Sequence, residues 1–135
     1  MNRYSRTNGL NYKGEFVMLN VQRKDLGTVS LLNLDGKLVI GETDTLRDLV
    51  DALPPTTSVT LDLSHVTLVD AHGLGVLLHL REQAEARDMR FELMNVGYHL
   101  REVFRMTHLD SVFHMRAGVE FLRPAARADR TPVAA

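Results

Sequence analysis

The sequence predicts an α/β domain, a mixed and mainly parallel sheet of about five strands with helices packed on it. Three observations carry that prediction. Short apolar runs rich in branched side chains alternate with segments whose apolar residues recur at the 3.6 period of a helix. Two strand-like runs near the start are separated only by a glycine-containing turn, so the sheet opens with an antiparallel hairpin. The later strand-like runs are separated by helices, which makes their pairing parallel and their crossovers right-handed.

The first strand is expected over residues 16–21 (FVMLNV), at a sheet edge, with Asp25, Leu26 and Gly27 offering the turn into a second strand over 28–34. Asp35 and Gly36 are expected to break that strand, leaving 37–40 as a short apolar continuation. The first helix follows: Leu46, Leu49, Val50 and Leu53 sit at i, i+3, i+4 and i+7, Thr43 can cap the start, and Pro54 with Pro55 stops it. A buried strand over 61–70 leads into a second helix. Residues 90–96 read as a further strand ended by Gly97, and 98–106 as a third helix with Leu100, Val103 and Phe104 inward and Arg101, Glu102 and Arg105 outward. A last strand begins at Val112, and 118–122 offers a terminal helical turn before Pro124.

A chain of 135 residues, 44% hydrophobic and 24% charged, supports one folded domain. Its expected extent is 16–123, with a flexible polar arm at 1–15 and a disordered tail at 124–135. The net charge of -1 provides no general attraction to nucleic acid or to an anionic membrane. With no cysteine there is no disulfide, thiol nucleophile or thiolate metal site. No stretch reads as a leader, and no apolar run approaches the ~20 residues that span a bilayer. These features predict a cytoplasmic domain without membrane insertion.

The junction between the central strand and the second helix, 61–83, organises the rest. Asp70 is a natural N-cap, able to accept from first-turn amides at the positive end of the helix dipole. Beyond it Leu74, Leu77, Leu78, Leu80 and Ala84 sweep one side with Val76 at the margin, while His72, Gly75, His79, Glu82 and Gln83 fall on the other. Gly73 lies on the apolar side, where a missing side chain lets the helix approach the sheet. Gly75 faces outward; a helical glycine costs about 1 kcal/mol against alanine, so either another molecule approaches the backbone there or the position is tolerated.

This order of elements, with VTLVDAHGLGVLL at the junction and HLREVFRMTHLDSVFHM downstream, resembles a STAS domain of the bacterial anti-sigma factor antagonist type over residues 21–122. Asp70, Gly73, Leu74 and Gly75 match the family's junction pattern; Thr107, Leu109, Asp110, Val112 and Phe113 match its later segment. The resemblance implies a non-enzymatic module of signal transduction and transcription regulation that works by partner switching. It implies docking through the junction and helix start, here Asp70, Ala71, His72, Gly73, Leu74, Gly75 and His79, onto an anti-sigma factor or serine kinase-like regulatory protein. That kinase phosphorylates the first of two hydroxyl residues and turns the contact off. This chain departs from the pattern at that point: Ala71 and His72 stand where the hydroxyl pair belongs, a degenerate phosphorylation site. Alanine offers no acceptor oxygen, so the chain is expected to be locked in the binding state, controlled otherwise, or recruited to another partner.

Rival chemistries read more weakly. His72 and His79 are seven residues apart, about 10.5 Å along a helix axis, too far to share one metal ion. As a lone base or a phosphohistidine, His72 has nothing around it built for that chemistry, and a surface or interface histidine is the plainer reading. Ser64 and His65, with Asp62 or Asp70, suggest a hydrolase only superficially; adjacent residues in a connecting segment should diverge, and no nucleophile elbow accompanies them. Asp62 reads as a strand-end residue and Asp70 as a cap, better than as a magnesium pair. Ser64 and Thr67 remain alternative phosphoacceptors. Gly73 and Gly75 lack the third glycine of a dinucleotide fingerprint, and Arg101, Arg105 and Arg116 read as a solvated rim. No cofactor is expected. Two readings remain: the partner-switching regulator, and a scaffold subunit or homo-oligomer of a signalling or transport complex, its contacts carried by the first strand pair and the third helix.

Overall fold

The computed structural model describes residues 18–54 and 58–116, which form strands β1 (Leu19–Leu26), β2 (Val29–Leu38), β3 (Ser58–Val69), β4 (Arg90–Met94) and β5 (His114–Arg116) and helices α1 (Asp44–Asp51), α2 (Ala71–Ala86) and α3 (Tyr98–Met106). The strands lie in one sheet in the order β1-β2-β3-β4-β5, with β1 and β2 antiparallel and every later pair parallel. The mixed, mainly parallel sheet of five strands is the one expected. The expected arm, tail, terminal turn at 118–122, and Phe16 and Val17 lie outside the described residues.

Register explains why one face of the sheet is the core. Val21 pairs with Leu34, Leu32 with Leu61, Leu61 with Leu93 and Val59 with Phe91, so these apolar side chains share a face, and all are buried. Leu46, Leu49 and Val50 of α1, Val76, Leu77, Leu80 and Ala84 of α2, and Phe104 of α3 join the same cluster. Phe104 meets Phe113 with ring centroids 5.2 Å apart, and Phe113 meets Phe91 at 6.3 Å. The opposite face is polar in register: Asn20 pairs with Asp35, Gln22 with Asn33, and Asn33 with Asp62.

Several expectations need correction. β1 runs on past Val21 to Leu26, and Gly27, at φ +66, makes the turn. Asp35 and Gly36 do not break β2, which passes through them with register irregularities at Asn33/Asp35 and Gly36/Lys37. Gly36 is what permits this: at φ +124, a Cβ there would stand 1.9 Å from the Met18 carbonyl oxygen, which accepts from the Lys37 amide at 2.7 Å. The core face of α2 is rotated from the expected one, since Val76 is buried while Leu74 and Leu78 are half-buried. Gly73, Val76, Leu77, Leu80 and Ala84 form the i, i+3, i+4, i+7, i+11 stripe, and the flanking leucines only extend it.

β4 ends at Met94 and not at Val96, because Asn95 turns into the left-handed region at φ 59. The last strand starts at His114; Val112 and Phe113 still belong to a turn in which both amides donate to the Leu109 carbonyl. Thr107 Oγ1 donates to the Val103 and Phe104 carbonyls, and the Leu109 amide closes onto Phe104. The threonine-leucine segment therefore ends α3 and delivers Phe113 to the core.

Candidate functional site

Asp70 holds the junction together. It caps α2, with Oδ1 accepting from the Gly73 amide at 2.8 Å, and Oδ2 accepts from the Ile40 amide at 3.0 Å, while its own amide donates to the Leu38 carbonyl. One carboxylate thus joins the end of β2, the end of β3 and the start of α2. The hydrogen bonds from Ile40 and then Gly73 hold its pKa below the ordinary value of 3.8.

Gly73 completes the close approach: a Cβ there would lie 2.1 Å from the Leu38 carbonyl oxygen. Gly75 is the opposite case, with nothing within 4 Å of a Cβ. Ala71, His72, Gly75 and His79 are exposed and Leu74 is half-buried, so these residues of α2 form one open strip; Gly73, expected among the docking residues, is instead buried against Leu38. His72 Nε2 lies 3.2 Å from Thr43 Oγ1. Thr43 occupies the N-cap of α1 as expected, but its hydroxyl makes no cap hydrogen bond and faces His72 instead. This contact clips the start of α1 to the start of α2, which sequence reasoning missed.

Sequence reasoning also missed the apolar residues around the strip. Ile40 is 70% exposed after β2, Leu68 51% exposed near the end of β3, and Tyr98 71% exposed after β4. Because β2, β3 and β4 are parallel, all three stand at the same end of the sheet as the start of α2, the end at which open α/β sheets bind. The usable signal was that each is a large apolar residue at an element boundary, beyond the period that assigns core residues.

The other candidates are not brought together with this strip. Asp62 is inside β3 and not at a strand end, and the seven strand steps from it to Val69 place Asp70 roughly 25 Å away, which rules out a shared ion. Among the described residues, no group of three or more histidine or carboxylate side chains could hold a metal ion. Ser64 and His65 lie within β3, and contrary to expectation their side chains meet, Ser64 Oγ to His65 Nδ1 at 3.2 Å. The cause is a bulge: β3 advances three residues from Asp62 to His65 while β2 advances two from Asn33 to Asp35, which upsets the alternation. Asp62 does not extend the pair into a relay, since its Oδ1 accepts from the Ser64 amide and from Asn95 Nδ2. Thr67 is exposed, its hydroxyl donating to the Gly36 carbonyl. Arg101 donates to the Val96 carbonyl, Arg105 pairs with Glu102, and Arg116 joins Arg90 on the buried Glu92, so the arginines are spent locally. No helix among the described residues is long and apolar enough to cross a membrane.

Comparison with known proteins places the fold. A family model described as Mlab, STAS domain, matches residues 21–119. An anti-sigma factor antagonist from Mycobacterium paratuberculosis has a similar fold, with a TM-score of 0.65, 21% identity, and coverage of 73% of this chain and 85% of that one. The anti-sigma factor antagonist SpoIIAA in its unphosphorylated form gives 0.64 at 21% identity, covering 80% and 96%. A sulfate transporter family protein from Wolinella succinogenes gives 0.62 at 20% identity, covering 69% and 80%.

Proposed function

The chain belongs to the STAS domain family, and from that premise we propose that it is a non-enzymatic protein-binding regulator of a partner-switching system, anti-sigma factor antagonist-like and cytoplasmic. Its partner is an anti-sigma factor or serine kinase-like regulatory protein, received on Asp70, Ala71, His72, Leu74, Gly75 and His79, with the buried Gly73 seating the helix against Leu38. The observation that carries this reading is the open strip at the start of α2: Gly75 leaves the backbone uncovered, and Ala71, His72 and His79 are exposed beside it.

Control by phosphorylation is absent from this strip. A phosphate at a helix N-terminus is favoured by the dipole, yet it brings nearly two negative charges into a surface fitted to its partner. Ala71 has no oxygen to carry one, and His72 is engaged with Thr43. The test is incubation with serine-kinase anti-sigma factors of the source organism and radiolabelled ATP, alongside capture of the partner. The reading expects a complex that survives ATP, no phosphate on the chain, and loss of capture by a folded Gly75→Trp variant. Stoichiometric phosphate on the chain would falsify it.

The likeness to a sulfate transporter family protein favours a second reading, a STAS scaffold or homo-oligomer within a signalling or transport complex. Light scattering separates the two. A stable homo-oligomer that buries α2's outward strip supports the scaffold.

A further inference from the structure

β3 is much longer than the strand that flanks it. β4 pairs with it only from Ser58↔Arg90 to Asp62↔Met94, whereas β3 continues to Val69, paired over that stretch with β2 alone. Past Asp62 this edge of β3 is therefore unpaired among the described residues, although the strand is internal to the sheet. In a parallel ladder successive residues send their amide and carbonyl alternately to either neighbour, so about three residues of this stretch turn both groups to the open side. Ser64 satisfies its amide on Asp62 Oδ1; among the described residues, no other backbone bond beyond the β2 pairing involves 65–69.

The space beside this edge is already shaped. Where β4 leaves, α3 begins, and between α3 and the open edge runs a groove of about 390 Å³. Leu63, Val66, Leu100 and Val103 line it, Leu68 and Tyr98 stand exposed along it, and its lining includes His99 and no carboxylate. An apolar slot bounded on one side by unpaired strand backbone and on the other by a helix is the geometry of strand addition. Main-chain hydrogen bonds there supply affinity, and alternate side chains supply selectivity.

The geometry points to a peptide-binding groove in which an extended segment of a partner polypeptide adds as a strand to β3 along residues 63–69, beside α3. The open stretch is about 20 Å long and takes five or six residues. Every second side chain enters the apolar floor, so the segment is apolar at alternate positions. The lining holds no carboxylate, so acidic residues at the flanks of the segment meet no like charge there. The chain's own outer edge strand is a poor occupant, since β1 carries Arg23, Lys24 and Asp25. This site is distinct from the strip on α2: Gly75→Trp reads one and Leu68→Lys the other, so either proposal can fail without the other.

The test uses the isotope-labelled full chain and a capped peptide of sequence EVTVTVE, with two versions N-methylated at alternate residues. Expected are amide shifts confined to 63–69 and 97–103, slowed hydrogen exchange at 65–69, and affinity in the millimolar range or tighter. One N-methylated register loses binding about tenfold and the other retains it, because a single edge of the peptide faces β3. Leu68→Lys and Tyr98→Ala, folded by circular dichroism, each weaken binding by about tenfold. No binding at millimolar peptide, shifts located elsewhere, or equal binding by both N-methylated registers overturns the inference. So does a dimer of the chain that protects 65–69 without peptide.

Discussion

Two glycines two residues apart in α2 should respond to alanine with opposite sign. At Gly75 an added methyl meets nothing within 4 Å, so the substitution delivers the helix-propensity gain of about 1 kcal/mol. At Gly73 the methyl would lie 2.1 Å from the Leu38 carbonyl oxygen and 3.0 Å from Val69 Cγ1. That oxygen belongs to backbone and also accepts the Asp70 amide, so it cannot rotate away; overpacking of this kind costs about 3 kcal/mol at the upper end. Against the same propensity gain, Gly73→Ala loses about 2 kcal/mol. For a chain of this size 1 kcal/mol moves the melting temperature by roughly 3–4 °C, so the two variants should melt about 10 °C apart on either side of the parent. Thermal melts followed by circular dichroism, with urea titrations at one temperature, read this directly. A neutral Gly73→Ala, or a Gly75→Ala that melts below the parent, would refute the assignment of one glycine to packing and the other to an open surface. The same Gly75→Ala chain, although more stable, should bind its regulatory partner more weakly.

Asp70 gives the pH dependence its sign. A carboxyl whose folded pKa is depressed adds stability that is complete above 3.8 and is lost as pH falls through the lowered folded value, so parent and Asp70→Asn should converge in urea midpoint as pH drops below 3.8. A gap that stays constant across that window would contradict the capping role. Thr60 is fully buried and its hydroxyl has no hydrogen-bond partner among the described residues, so Thr60→Val should raise stability by about 1 kcal/mol in denaturant titration; a loss would show that the hydroxyl is satisfied. Phe104→Ala, removing the ring that joins α3 to Phe113, should lose about 3–5 kcal/mol, and a loss under 1 kcal/mol would mean that α3 contributes little to the core. Ala71→Ser restores an oxygen at the first residue of α2 and should make the chain a kinase substrate whose phosphorylation releases the partner; mass spectrometry with capture measures both.

Much of the fold was legible because it rests on period and punctuation. Leu46, Leu49 and Val50 define one helix face, although that helix ends at Asp51, short of Leu53 and Pro54; Asp70 caps another helix, and the element order follows from runs separated by turns. What was not legible depended on partners distant in sequence. Gly36 reads locally as a breaker, yet it lies inside a strand because the Met18 backbone packs where a side chain would be. Val76 reads as marginal on a helical projection centred on leucines, but the fixed point of α2 is Gly73 against Leu38, which rotates the buried stripe. The bulge that brings Ser64 to His65 exists only in the pairing of β3 with β2. In the candidate site, Asp70, His72 and Gly75 stood out from capping and missing side chains. The Thr43 contact spans 29 residues, and the open edge of β3 depends on where β4 stops, neither of which a local pattern encodes.

The central claim is that the start of α2 is a docking surface with no phosphate switch. Hydrogen exchange by mass spectrometry on the chain alone and in complex with its serine-kinase anti-sigma factor, with ATP present throughout, tests it most directly. The account predicts strong protection across residues 70–79 that persists for as long as ATP is supplied. Protection that fades as ATP is consumed, or that falls on another face while 70–79 exchange freely, would contradict it.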